Sequence, residues 1–514
     1  MCRKRSSACP RTLDRAATNA LYKTLVGSDQ VRLPMFHASA VILSGNAASA
    51  ILLLARNLIL ARLIPVDSYG VAATFVLALA AVEMVTALGL QQQIVQSRQG
   101  DDPRYQNALQ GFQLLRGVVA GLALFLMAEP VARFLGTAEA VYAYQMLALV
   151  PVLNALVHFD IHRMNRQDRF GPLILTTTLP SALSLVAIVP LALWLGDWRA
   201  MLWATIGQLV LSVVLSHLLA ERAFRPRLDL GVMAASLRFG WPLLANAVLM
   251  FIVFQGDRLT VGHHLGMTDL AIFAMGVTLT LTPGLVITKS GQTLMLPRLS
   301  AAEGAEFDRL ASLCMNLHLL FGVLLAGAAA VFGPLAVHLL LGPNYAPLAA
   351  LIAPLAAIQA VRMVKVAPAI VALSRARSHV SLWGNVPRAL SFLVAWGLLD
   401  QGYGLQSVIL CALIGEALGA PLSLWMMRQS TRRGMGRDEA AAFCLLALAL
   451  LPALAPLWGT AGVPMGWALT AVAGACLALG LVRLAAVLKT LRAMPPRTET
   501  VPPTRNADGD GLAE

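Results

Sequence analysis

The amino-acid sequence predicts an all-α polytopic membrane protein with about fourteen transmembrane helices. Of its 514 residues, 58% are hydrophobic and only 13% are charged, whereas soluble domains carry about 25% charged residues. Apolar segments long enough to cross a bilayer recur along the whole chain, with no long polar interval between them. Basic residues alternate from one connecting loop to the next, which supports the same helix count independently.

The apolar segments are each about 20 residues or longer, the length that crosses about 30 Å of hydrocarbon. The predicted spans are 37–63, 69–92, 112–135, 139–158, 171–195, 198–220, 238–261, 269–296, 310–340, 346–372, 380–399, 404–427, 440–459 and 465–488. Because the number of spans is even, the carboxyl terminus returns to the side on which the first span begins.

The placement of basic residues predicts the orientation. With the amino terminus placed in the cytoplasm, the basic clusters all fall on the cytoplasmic side, and the opposite loops hold only Arg62, Arg133 and Arg199. This asymmetry is the one that the positive-inside rule describes. The net charge of +13 is therefore a topology signal, and no nucleic-acid partner is predicted.

An internal repeat relates the first span to the seventh. At an offset of 202 residues, Arg, Asp and Gly residues recur that an Ala/Leu-rich background does not favour, and both copies start on the same side of the membrane. A parallel duplication of this kind predicts two bundles around an axis along the membrane normal. The aligned pairs are Arg56 with Arg258, Asp67 with Asp269, and Gly89 with Gly291.

The repeat divides the chain into two six-helix bundles and a terminal helix pair. The predicted segments are a basic cytoplasmic tail (1–35), a first bundle (36–220), a cytoplasmic linker (221–237), a second bundle (238–428), a helix pair (429–490) and a disordered cytoplasmic tail (491–514). Two bundles about a cleft are the geometry expected of an alternating-access transporter.

Ionisable residues inside the spans are the candidate functional residues, because each costs about 2.5–3.5 kcal/mol at bilayer depth unless it faces protein or water. Cations predominate, which favours an anionic cargo. The candidate cargo-binding residues are Arg56, Arg258, Lys289, Arg362, Lys365 and Arg388, and the candidate ion-coupling residues are Glu83, Asp257 and Glu416.

Structural roles compete with these functional ones. Arg362 and Lys365 are three residues apart and share one helical face, where both can reach one phosphate group. Arg56 and Arg258 lie close enough to the outer surface for ion pairing or snorkelling to be equally good explanations. The three carboxylates are either countercharges to these cations or a proton or sodium coupling site, and the countercharge role is favoured.

Enzymatic function is not predicted. All external loops are short, so no segment can hold the donor and acceptor of a polymerase or glycosyltransferase. The sequence contains no nucleotide-binding motif and no metal-ligand set. No cofactor is therefore expected, apart from coupling to H⁺ or Na⁺.

Several segments of the two bundles carry a family pattern. In the first bundle they are 56–70, which runs from Arg56 to Gly70, followed by 87–90 and 94–96; in the second they are 237–244, Asp257 with Arg258, Leu265 with Gly266, and Asp269. These segments resemble polysaccharide-synthesis flippases of the multidrug/oligosaccharidyl-lipid/polysaccharide exporter superfamily. The resemblance implies translocation of an undecaprenyl-pyrophosphate-linked oligosaccharide across the bacterial inner membrane, for O-antigen, capsule or exopolysaccharide assembly. It also implies contact with membrane lipids and with a polysaccharide polymerase and chain-length regulator.

Three alternatives stay open. A lipid II flippase has the same helix count and a similar cationic cleft. A multidrug exporter of the same superfamily usually has twelve helices and favours cationic drugs. A scaffold of a polysaccharide assembly complex would need no transport at all.

Overall fold

The computed structural model describes residues 35–85, 88–97, 99–167, 169–458 and 463–492. Within these residues the chain is helical and has no β-strand, so the predicted all-α polytopic class is confirmed. The predicted tails, 1–35 and 491–514, lie almost entirely outside the described residues.

Seventeen α-helices are found in the described part of the chain. The first nine are α1 (Met35–Leu63), α2 (Val66–Val85), α3 (Leu90–Gln96), α4 (Pro103–Phe134), α5 (Val141–Leu147), α6 (Leu149–Leu156), α7 (Asp160–Arg166), α8 (Gly171–Leu195) and α9 (Arg199–Leu219). The others are α10 (Leu230–His264), α11 (Gly266–Ala301), α12 (Gly304–Leu341), α13 (Leu348–Leu373), α14 (His379–Asp400), α15 (Leu405–Thr431), α16 (Arg437–Leu454) and α17 (Val463–Arg492).

Each of the fourteen predicted spans coincides with helical structure. Among the described residues, eleven segments are long and apolar enough to cross a membrane. The other three predicted spans correspond to α1, α10 and α14, which are also helical. The chain is therefore a multi-pass membrane protein.

Two predicted spans are interrupted, for identifiable reasons. The fourth predicted span consists of α5 and α6, which separate at Ala148. Pro151 has no backbone N–H to donate to the carbonyl of Leu147, so the helix breaks one turn before the proline. The second predicted span ends at Val85, and Gly89, with φ of 65°, redirects the chain into α3.

The helices pack in two groups with an appended pair. Helices α1 and α3–α9 pack mainly among themselves, as do α10–α15, and α16 and α17 both pack against α12. The two groups meet along α2, which contacts α10 and α11. At this contact a Cβ on Gly70 would overlap the carbonyl of Met267, so glycine permits the close approach.

The two groups are joined by one apolar core at the end of the molecule where α1 and α10 finish, called here the outer end. This core includes Leu60 and Tyr144 from the first group and Phe273, Leu348 and Val408 from the second. At the opposite, inner end the cores are separate clusters. The two groups are thus held together most extensively at the outer end.

An aromatic stack adds to this outer contact. The ring of His263, in the last turn of α10, stacks on Phe134 of α4, at 4.2 Å between centroids, and on Trp396 of α14, at 5.2 Å, and these two rings are 6.1 Å from each other. The His263 Nδ1 atom is 2.7 Å from the carbonyl oxygen of Phe134, and His264 Nε2 is 2.9 Å from Asp400 Oδ1. These histidines therefore belong to a packed helix end that joins the two groups.

Candidate functional site

A buried carboxylate holds two of the predicted cations together. Glu416 of α15 is fully buried, and its Oε1 atom accepts a hydrogen bond of 2.8 Å from Arg362 Nε. Lys365 Nζ lies 2.6 Å from Glu416 Oε2. Arg362 and Lys365 both belong to α13, three residues apart, so one helical face presents both cations to one carboxylate.

A third cation extends this group across the second bundle. Arg388 of α14 forms an ion pair with Asp257 of α10, and its Nε atom is 3.7 Å from Glu416 Oε1. Arg388 NH1 also donates to Ser391 Oγ at 3.0 Å. Four helices therefore contribute to one cluster, called here the central ion network: Asp257, Arg362, Lys365, Arg388 and Glu416.

Neutral partners complete the coordination of the cations. Arg362 NH1 donates to Gln359 Oε1 at 3.0 Å, and its guanidinium lies 4.8 Å from the ring centroid of Phe254. Lys365 Nζ donates to Asn385 Oδ1 at 2.7 Å. Such partners reduce the cost of removing these charges from water.

The network has more positive than negative charge and unused hydrogen-bonding capacity. Three cations share two carboxylates, which leaves an excess of one positive charge. Within the described residues, Asp257 Oδ1 and Arg388 Nε are buried without a hydrogen-bond partner. Buried polar atoms are normally satisfied, so these two atoms mark a place where an ion, a proton or a cargo group can be accommodated.

The repeat-related arginines lie outside this network. Arg56 is 5% exposed and donates to Ser184 Oγ at 3.0 Å and to Gln208 Oε1 at 2.7 Å, on α8 and α9. Arg258 donates to Gln255 at 3.1 Å and to Thr278 at 3.3 Å. Both arginines thus have neutral partners in these hydrogen bonds.

Two other candidate residues are more accessible. Lys289 is exposed on α11. Glu83 is exposed on α2, where Asn154 Nδ2 donates to its Oε1 at 3.3 Å and Arg116 lies within electrostatic range. The structure therefore brings Arg362, Lys365, Arg388, Asp257 and Glu416 together, and it leaves Arg56, Arg258, Lys289 and Glu83 apart from them.

Comparison with known proteins identifies the family. A profile described as polysaccharide biosynthesis protein matches residues 59–352, more than half of the chain. The chain belongs to the polysaccharide biosynthesis protein family. The matched region includes all the segments that carry the predicted family resemblance except residues 56–58, and that prediction is confirmed.

Relatives of this polysaccharide biosynthesis protein include one curated sequence and several solved structures. The succinoglycan biosynthesis transport protein ExoT of Rhizobium meliloti (strain 1021) is 25% identical over 243 residues, which cover 46% of this chain. The match spans about half of ExoT, 48% of its length.

Two solved structures share the fold. The lipid II flippase MurJ in an inward closed conformation has a TM-score of 0.66 at 12% identity, covering 88% of this chain and all of MurJ. An inward-facing MATE family multidrug transporter of the MOP superfamily has a TM-score of 0.61 at 12% identity, covering 75% of this chain and 96% of that one. At these identities the likeness concerns the fold.

This family member also contains a polar hub at its inner end that the sequence did not predict. Asp160 at the start of α7 forms an ion pair of 2.6 Å with Arg163 and accepts hydrogen bonds from the backbone N–H groups of Glu221 and Arg222 at 2.8 and 3.1 Å. Burial acts to raise the pKa of Asp160, but these hydrogen bonds outweigh it and hold the pKa below its usual range. The hub attaches the linker before α10 to the first group of helices.

A buried histidine supports Asp160. The backbone N–H of Asp160 donates to His158 Nδ1 at 3.1 Å, which requires that nitrogen to be unprotonated. Burial lowers the pKa of His158 to about 4. His158 is therefore neutral near pH 7, and its protonation would remove the acceptor that Asp160 uses.

Sequence reasoning missed the neutral partners of the cations as well as this hub. Gln359 and Ser391 each lie three residues from a predicted arginine on the same helix, so helical spacing is a signal that can find them. Gln208 and Asn385 come from other helices, and no local pattern indicates them.

Proposed function

We propose that this chain is a flippase that moves an undecaprenyl-pyrophosphate-linked oligosaccharide from the inner to the outer leaflet of the bacterial inner membrane, for O-antigen, capsule or exopolysaccharide assembly. Membership of the polysaccharide biosynthesis protein family supports a role in polysaccharide assembly, and the fold shared with known transporters supports a transport function. In this proposal both termini are cytoplasmic and the protein is not an enzyme. A polymerase and a chain-length regulator act on its product.

The observation that supports this function best is the central ion network, with its excess of positive charge deep in the second bundle. A pyrophosphate group that leaves water needs several charge-assisted donors. Arg362 and Lys365 offer such donors from one helical face, and Arg388 adds a third from the neighbouring helix. A cationic drug would be repelled by the same site.

In the conformation observed, the carboxylates occupy the place that we assign to the pyrophosphate. All three cations are less than 9% exposed and are paired with Glu416 or Asp257. We assign to the cargo the role of displacing these carboxylates when the cleft opens. Pairing in the empty protein then keeps the cations charged and positioned between transport cycles.

The released carboxylates are the proposed coupling groups. Once Glu416 and Asp257 lose their cationic partners, either can take up H⁺ or Na⁺, and the unused Asp257 Oδ1 atom is already available as an acceptor. Glu83 has its own partners in the first group and is a second candidate. In each cycle the cargo pyrophosphate would replace the carboxylates as the partner of the cations, and H⁺ or Na⁺ would replace the cations as the partner of the carboxylates. We assign Arg56 and Arg258 to the outer end of the path that the pyrophosphate-linked oligosaccharide follows. Lys289 is assigned to the inner part of the same path.

Neutralising the network cations one at a time tests this proposal. We expect Arg362→Gln, Lys365→Gln and Arg388→Gln each to reduce export about tenfold or more, since a hydrogen bond to a charged group contributes about 1.5–3 kcal/mol. The measurement is surface polysaccharide in a strain that lacks its own copy, at matched protein levels. Arg225→Gln, at an exposed position in the linker, is the matched control and should retain full export.

Vesicle assays separate the alternatives. Purified protein in liposomes is given the lipid-linked oligosaccharide, lipid II or a cationic drug, and arrival of each in the opposite leaflet or lumen is measured. The proposal expects transport of the oligosaccharide alone. Transport of lipid II would instead support a lipid II flippase, and transport of the drug would support a multidrug exporter. If none of the three compounds is transported although the deletion strain loses export, the result would favour a scaffold.

A further inference from the structure

A second polar site lies away from the central ion network, between α12, α16 and α17 at the inner end. These helices enclose a cavity of about 580 Å³. Its lining combines Arg309, Arg483, Ser312 and Asn316 with apolar side chains such as Leu320, and includes one carboxylate, Asp438. None of its lining residues belongs to α10, α13, α14 or α15, the helices that form the network.

The cavity is closed on its membrane-core side by close helix packing. A Cβ on Gly480 of α17 would lie only 3.1–3.2 Å from Leu324 and Val323 of α12, so the two helices touch there. From this contact toward the inner end, α12 and α17 enclose the cavity, down to Arg309 and Thr490. The contact at Gly480 thus bounds the site on the side of the membrane centre.

Arg483 is the residue that requires a ligand. It lies inside the apolar span Ala468–Thr490, seven residues before its end, which places its backbone about 10 Å from that end. It is exposed and has no ion-pair partner among the described residues. An arginine at such a depth is costly unless an anion or water accompanies it.

The surroundings of Arg483 indicate a lipid as the source of that anion. Its neighbours Val482 and Leu479 are 69% and 55% exposed, so this side of α17 faces hydrocarbon. Arg309, near the start of α12, is a second exposed cation without an ion-pair partner in the described residues. The nearby carboxylates Asp308 and Glu439 are already paired with Arg433, which leaves Asp438 as the one opposing charge in the cavity lining.

We propose that this cavity binds an acidic glycerophospholipid of the inner leaflet. The phosphate lies between Arg309 and Arg483, the glycerol region contacts Ser312 and Asn316, and the acyl chains pass over the apolar surface of α17. Arg309 and Arg483 both lie nearer the inner end than the exposed Leu479, which is the order of phosphate and acyl chains for a lipid in that leaflet. The site is independent of the cargo site proposed above.

Lipid retention by the purified protein tests this inference. The protein is reconstituted in nanodiscs of phosphatidylcholine containing a minority of phosphatidylglycerol, extracted into detergent, and analysed for bound lipid by native mass spectrometry. We expect wild type to retain phosphatidylglycerol selectively. Arg309→Gln and Arg483→Gln should each lower that retention about fivefold, the effect of one basic residue at an anionic membrane surface. Arg225→Gln should leave it unchanged.

A conservative variant and a competing anion distinguish the possible outcomes. Arg483→Lys keeps the charge and should retain most of the lipid, which separates loss of binding from misfolding. Inorganic phosphate is added as a competitor. If free phosphate binds as well as phosphatidylglycerol, the cavity is an anion site without lipid specificity and the inference is overturned. Retention of phosphatidylglycerol that is unaffected by both Gln variants, in proteins with wild-type thermal stability, would overturn it as well.

Discussion

Replacing Glu416 by Gln should destabilise this protein more than any other single charge removal in the central ion network. Glu416 is fully buried, and it contacts Arg362 at 2.8 Å, Lys365 at 2.6 Å and Arg388 at 3.7 Å. After the substitution three buried cations share Asp257 alone. Removing one partner of a buried ion pair costs about 3–5 kcal/mol, because the remaining charge is uncompensated, and here two close pairs are lost together.

Asp257→Asn provides the internal comparison. Among the described residues Asp257 forms an ion pair with Arg388 alone, and Arg388 keeps both Ser391 and its longer contact with Glu416. We therefore expect a smaller loss, about 1–3 kcal/mol, the range for leaving a buried polar group without its partner. The order of the two variants follows from the number of cations that each carboxylate serves.

The assay is thermal or denaturant-induced unfolding of the purified proteins in one detergent, followed by size-exclusion chromatography. Glu129→Gln is the matched control, since Glu129 is 58% exposed and pairs with Arg133, which is 74% exposed; its effect should stay below about 1 kcal/mol. Adding Lys365→Met to Glu416→Gln should restore part of the stability, because one orphaned charge is removed. A Glu416→Gln protein as stable as wild type, or less affected than Asp257→Asn, would refute the reasoning.

Three further perturbations test the packing of the outer end and the hub at the inner end. Gly70→Ala should destabilise the protein by more than the 1–3 kcal/mol typical of overpacking, whereas Gly207→Ala, with open space around its Cβ position, should not. The neutral form of His158 is favoured on folding, so stability from this group is complete above about pH 6.5 and is lost as the pH falls toward about 4. His158→Asn, which removes the titrating group, should show a weaker loss of stability over that range. His263→Ala removes an aromatic stack between the two groups of helices and should increase labelling of Cys411, a buried cysteine of the outer-end core, by a membrane-impermeant reagent.

Specific results would contradict these expectations. Equal stability of the two alanine variants would show that the close contact of α2 with α11 is dispensable. Stability that rises as the pH is lowered from 6.5 to 4 would contradict the assignment of a neutral histidine at position 158. Unchanged cysteine labelling after His263→Ala would show that the apolar core alone keeps the outer end closed.

The sequence predicted the helices well because hydropathy and loop charge are properties of short segments. Each of the fourteen predicted spans is helical, and loop charge supplied a second signal that does not depend on hydropathy. The departures occur where one residue changes the backbone. Pro151 divides the fourth span, and Gly89, with its positive φ, turns the chain into α3 inside the second. A hydropathy window of about 20 residues averages over both.

By itself, the sequence determined the membrane class, the family and the list of buried charges, since each of these depends on composition or local order. Only the tertiary structure decided how the charges are used. Arg388 pairs with Asp257, 131 residues away, and Arg362 with Glu416, 54 residues away, whereas Arg56 and Arg258, which the repeat aligns, make separate contacts with neutral partners. Ion-pair partners are set by which helices become neighbours in space, and no periodicity within a helix encodes that. For the same reason Arg483 became a candidate lipid-binding residue only when its exposure and lack of an ion-pair partner in the described structure were known.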